Sequence, residues 1–172
     1  QTTATGVIRN DDVVGTPAAD TLKATSFTTA YTGLGGADIF QFRYGQSPVS
    51  APDRITDFAI NTDKIGLIDG SGNPLLPPLA FSRASDQSSA DLSTLVSAVF
   101  TDANGGTAGN QGLAVSAACL VRATSASIAG TYLVINDAVD GFQSSNDIVI
   151  NITGLTGTLP PLGTIPVNQW FS

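Results

Sequence analysis

Three aspartates sit on one ladder near the start of the chain. Asp11, Asp20 and Asp38 fall on a period of nine residues, with Thr29 on the remaining rung. Two residues after each rung stands an apolar side chain: Val13, Leu22, Tyr31 and Phe40. Glycines precede two of the rungs, as Gly15-Thr16-Pro17-Ala18-Ala19-Asp20 and Gly33-Leu34-Gly35-Gly36-Ala37-Asp38. Glycine admits positive φ, so such a loop can turn its carbonyls toward one centre. A carboxylate at the end of the loop adds charged oxygens. Carbonyls and carboxylates together suit a hard cation such as Ca²⁺, which takes six to eight oxygens at about 2.3–2.6 Å. The spacing therefore nominates Gly15, Pro17, Asp20, Gly33, Gly35 and Asp38 as ligands to calcium.

The pattern is a worn form of G-G-x-G-x-D-x-U-x, the nonapeptide of calcium-binding parallel β-rolls. In such a roll two nonapeptides make one turn, so residues eighteen apart stack. That places loop 33–38 over loop 15–20 and predicts one good site on the Asp20/Asp38 edge. The opposite edge pairs Asn10-Asp11 with residues 24–29, a loop with neither carboxylate nor glycine. A weak or missing site is expected there. The alternative is that Asp and Gly merely mark turns, but the register persists through the degenerate repeat.

The elements that must hold these loops follow in order. Residues 1–10 read as an extended arm or edge strand, 11–44 as the roll, 45–155 as an antiparallel sandwich with one helix, and 156–172 as a proline-rich tail, all in a single domain. Phe40, Phe42 and Tyr44 alternate as a strand does, turning an aromatic face inward. Asp53-Arg54-Ile55-Thr56-Asp57-Phe58 and Asp63-Lys64-Ile65-Gly66-Leu67 are two short strands that bring three more aspartates. Asp57 and Asp63 are the favoured ligands for completing the last calcium loop, ahead of Asp53. The competing reading pairs these aspartates with Arg54 and Lys64 at the surface, which contributes little.

Residues 69–79, rich in Gly, Ser, Asn and Pro, form an irregular connection. A helix is expected near 90–103: Asp91 can cap it, Leu92, Leu95, Val96 and Val99 make one stripe, and Asn104-Gly105-Gly106 stops it. Residues 113–124, 131–136 and 147–153 read as strands. The segment from Asn136 to Asp147 contains D-x-x-D-G, and a hairpin connection explains it better than a second cation site. Trp170-Phe171 in the tail should dock on the core or, if exposed, meet a partner.

Composition narrows the function. The 172 residues carry a net charge of −7, and all fourteen acidic residues are Asp. Without a basic patch the chain is a poor partner for nucleic acid. There is no His, which removes the commonest general base and transition-metal ligand. Cys119 lies in an apolar run and reads as a buried, inert thiol. No apolar run is long enough to cross a bilayer as a helix. Methionine is absent, even at position 1, so a leader removed or a segment of a longer chain is expected. Low charge, abundant Ser and Thr, and a motif suited to millimolar Ca²⁺ point to a secreted or surface-exposed protein.

The ordered set of motifs resembles the C-terminal calcium-binding domain of serralysin and RTX proteins, closest to the bluetail-type surface-protein domain of cyanobacteria. Besides the glycine loops, the resemblance rests on Asp53–Phe58 with Asp63-Lys64-Ile65, on Tyr132–Asp137 with Gly141-Phe142-Gln143, and on Asn146–Ile150 with Thr153-Gly154. It implies a parallel β-roll running into a sandwich, calcium-dependent folding, export and a non-catalytic role. Self-association through the arm or tail, as in a filament or surface layer, is the second expectation. An enzyme is disfavoured: paired Asp could serve a glycosidase, but nothing positions such a pair.

Overall fold

The computed structural model describes residues 12–172; the expected arm at 1–10 and Asp11 lie outside the described residues. Among the described residues the chain is mainly β with one α-helix. Its first six strands are β1 (Val13–Val14), β2 (Thr21–Lys23), β3 (Ala30–Thr32), β4 (Ile39–Phe42), β5 (Asp53–Ile55) and β6 (Lys64–Leu67). They alternate between two sheets. β1, β3 and β5 stack in parallel in one, and β2, β4 and β6 in the other. Val13 faces Tyr31 and Leu22 faces Phe40 in these ladders, each pair eighteen residues apart. The next coil is longer, since Tyr31 meets Ile55 and Phe40 meets Ile65. Its extra residues are spent in the loop after β4, around Gly45, Pro48 and Pro52.

The remaining strands are β7 (Ala80–Arg83), β8 (Ala117–Ala123), β9 (Gly130–Ile135), β10 (Ile148–Asn151) and β11 (Gly163–Thr164). They extend the first sheet to eight strands in the order β1-β3-β5-β10-β9-β8-β7-β11. The expected antiparallel continuation describes β8–β9, β9–β10 and β7–β11. β5–β10 and β7–β8 are parallel instead. A parallel pair needs a crossover connection, and the helix α1 (Leu92–Thr101) supplies it between β7 and β8. Asp91 caps α1 by accepting from Thr94 N at 2.8 Å.

The eight-stranded sheet is buried on both faces, with the period of two expected of strands. Leu120, Leu133, Ile135, Ile148 and Ile150 join Leu22, Phe40, Phe42 and Ile65 of the smaller sheet in one core. Cys119, Val121, Val134 and Val149 point the other way and pack with Leu95, Val96 and Val99 of α1. Tyr31 and Phe42 meet edge-on across the first core, 5.7 Å between centroids. The tail closes its end. Trp170 stacks on Phe58 at 5.0 Å and meets Phe81 edge-on, while Ile65 N donates to Trp170 O and Ser172 N to Ile65 O. No helix among the described residues is long and apolar enough to cross a membrane.

Candidate metal centre

All eight nominated residues gather at one edge of the stacked strands, where loops 15–20 and 33–38 and the turn after β5 meet. A line of carboxylates runs along this edge, and Asp38, Asp57 and Asp63 reach back to the coil before them. Asp38 Oδ1 accepts from Asp20 N at 2.9 Å, and Asp63 Oδ1 accepts from Asp38 N at 3.0 Å. Asp63 Oδ2 takes Ala59 N at 2.7 Å. Asp20 Oδ2 takes both the amide and the hydroxyl of Thr16, at 2.5 and 2.8 Å. Asp57 holds the start of the upper loop: its two oxygens accept from Gly33 N and Leu34 N at 2.9 and 2.8 Å. Asp57 therefore shapes the loop with both oxygens, while Asp20 Oδ1 and Asp38 Oδ2 receive no hydrogen bond from the described residues.

The glycines are where the two loops touch. A Cβ on Gly15 would come within 2.8 Å of Gly33 O and 2.9 Å of Asp20 Oδ2. On Gly33 it would collide with Asp38 Oδ2, and on Gly35 it would face Pro17 O at 3.7 Å. Gly36, which the spacing did not nominate, has φ +103°, and a Cβ there would come within 2.5–2.6 Å of the Ala18–Ala19 peptide. Gly33 O of the upper loop and Asp20 Oδ2 of the lower one thus converge on the space beside Gly15, and Asp38 Oδ2 on that beside Gly33. This is a cradle that any side chain at Gly15 or Gly33 would fill.

Electrostatics at this edge are unfavourable without a counter-charge. Asp38 is 2% exposed. Burial raises its pKa above the ordinary carboxylate value, and the charges of Asp63, Asp20 and Asp57 push the same way against the Asp20 amide. No basic side chain answers them: among the described residues the ion pairs are Arg83–Asp86 and Arg122–Asp86. Lys64 Nζ instead donates to Asn168 O and Gln169 O of the tail, both at 2.7 Å, and Arg54 reaches Thr153 O. The surface pairing weighed for Arg54 and Lys64 is not what these side chains do. Among the described residues, no three His, Cys, Asp or Glu side chains cluster as metal ligands. A cation here would rely on two carboxylates and several carbonyls.

The opposite edge is built differently. Where carbonyls turn inward, side-chain donors meet them: Gln46 Nε2 donates to Ala24 O and Thr25 O, both at 3.1 Å. The hydroxyls of Thr25 and Thr29 both donate to Phe27 O, at 3.0 and 2.8 Å. Asp53 stands on the next coil of this edge, and its Oδ1 accepts from Thr29 N at 2.8 Å as Asp38 Oδ1 does from Asp20 N. Neither Gln46 nor Asp53 is on the nine-residue ladder, and the sequence carried no spacing signal for them.

Elsewhere the aspartates close loops. Asp147 accepts from Asp137 N and Gln143 N at 3.1 and 2.6 Å, and Asp137 accepts from Val139 N and from the side-chain amide of Asn146. Cys119 is buried, and burial pushes its thiol up to about 12, which leaves no thiolate at neutral pH. Neither family models nor curated proteins match the chain.

Proposed function

We propose that this is an RTX-like, calcium-stabilised module of an extracellular or cell-surface protein, with a parallel β-roll as its calcium-binding part and no catalytic role. The observation that carries the reading is the cradle at the Asp20/Asp38 edge. Asp20 and Asp38 stand on two stacked loops, Gly33 O and Asp20 Oδ2 converge on the space beside Gly15, and Asp38 Oδ2 fills the space beside Gly33. Calcium would be held by Asp20, Asp38 and the carbonyls of loops 15–20 and 33–38. Asp63 and Asp57 would orient Asp38 and the Gly33 turn. Its charge would offset the mutual repulsion that now disfavours ionised Asp38, tying consecutive coils together.

Such a clamp suits a protein that meets abundant calcium only after export. At low calcium the carboxylates repel and the coils are loosely joined; at millimolar calcium the folded state gains by mass action. Isothermal titration of chelator-stripped protein tests this. The expected result is saturable calcium binding that is lost in Asp38→Asn and not reproduced by Mg²⁺, whose smaller shell demands near-octahedral geometry. An absence of heat at millimolar Ca²⁺ would count against the reading.

A further inference from the structure

The Thr29 edge holds a buried carboxylate that the calcium reading does not use. Asp53 is 0% exposed. Its amide donates to Ser47 Oγ at 2.8 Å, and that hydroxyl donates to Val149 O at 2.6 Å. Its Oδ1 accepts from Thr29 N, while its buried Oδ2 has no hydrogen-bond partner. Asp53 thus stands where β5 joins β3 on one side and β10 on the other. Of the titratable side chains, Tyr31 faces it. No lysine or arginine among the described residues bonds to it; the adjacent Arg54 reaches Thr153 O.

A cation is poorly served here. The carbonyls it would need are those of Ala24, Thr25 and Phe27, and Gln46, Thr25 and Thr29 already donate to them. What remains is one orphan carboxylate oxygen in an enclosed site, for which the smallest neutraliser is a proton. We propose that Asp53 is a proton-operated latch: protonated, it seats the long third coil on the second, and ionised, it weakens that seat. One edge of the stack would then be tied by a metal ion and the other by a proton. The latch does not depend on the calcium reading and would survive its failure.

Burial lifts the Asp53 carboxyl to about 6, against the pull of Thr29 N–H. Because the folded value lies above the unfolded one, the stabilisation is fully present below about pH 3.8 and is lost as pH rises through about 6. A displacement of that size corresponds to roughly 100-fold in the folded-to-unfolded ratio. The test is urea unfolding in EGTA from pH 4 to 7.5 for the wild type and Asp53→Asn, with carbon NMR titration of the wild-type carboxyl groups. The expected result is a carboxyl titrating near 6 and a fall in wild-type stability toward neutral pH that Asp53→Asn reduces. An Asp53 carboxyl titrating near 4, or an equal pH slope in the variant, overturns the latch. If the variant fails to fold, the wild-type titration decides alone. Calcium that lowers the Asp53 titration midpoint would make this a cation site and overturn the proposal as well.

Discussion

Leu34 sits at φ +73° between two glycines, in a conformation that costs a branched residue about 1 kcal/mol or more. It is tolerated because Asp57 holds the Gly33 and Leu34 amides with both oxygens. The side chain is 57% exposed, so little burial is lost on removing it. Leu34→Gly should therefore leave the fold intact and stabilise it by about 0.5–1 kcal/mol. Gly33→Ala, one residue away, should do the opposite. Its methyl would meet Asp38 Oδ2 inside the cradle, costing about 1–3 kcal/mol of stability together with any calcium response. Urea denaturation of the two variants, with and without Ca²⁺, reads both effects. Equal behaviour of the pair would mean that the loop's two positions are not distinguished as the geometry requires.

At the scale of elements, the tail is the part with the sharpest consequence. Trp170 is 1% exposed and bridges Phe58 of the third coil to Phe81 of β7. It joins the stacked coils to the rest of the molecule, and the terminal residues continue the small sheet beyond β6. Trp170→Ala should cost about 3 kcal/mol or more in urea unfolding, and Trp170→Phe considerably less. The docking of Trp170-Phe171 was one of two outcomes the sequence allowed, and both side chains are buried in their own chain. The stacked strands and α1 were also legible, because a period of nine and an apolar stripe are both local signals. β7 and β11 were not. Ala80–Arg83 has one large apolar residue and follows a run of prolines, and its strand state comes from pairing with β8 far along the chain. Parallel β5–β10 pairing is equally non-local. Asp53 was ranked behind Asp57 and Asp63, and Gln46 not singled out, for a related reason: the third coil departs from the eighteen-residue step, so no count along the chain brings them to Thr29.

For the molecule as a whole, the two edges of the stack respond to different solutes. Raised carboxyls at Asp38 and Asp53 each contribute, without calcium, a loss of stability as pH rises from acid toward neutral, against the opposite contribution of the lowered Asp69 and Asp91. Calcium should reverse that trend at the Asp20/Asp38 edge alone, because on the other edge the carbonyls of Ala24, Thr25 and Phe27 are already taken by Gln46, Thr25 and Thr29. Net charge of −7 adds to the same demand for cations at neutral pH. The most direct test of calcium stabilisation is the melting temperature of the full chain at pH 7.5 in EGTA and in excess Ca²⁺, with Asp38→Asn alongside. At a hundredfold excess over Kd the folded state should gain about 2.7 kcal/mol, a rise of roughly 5–10 °C for a chain of this length, and the variant should show none of it. A wild-type melting temperature indifferent to calcium would contradict the account.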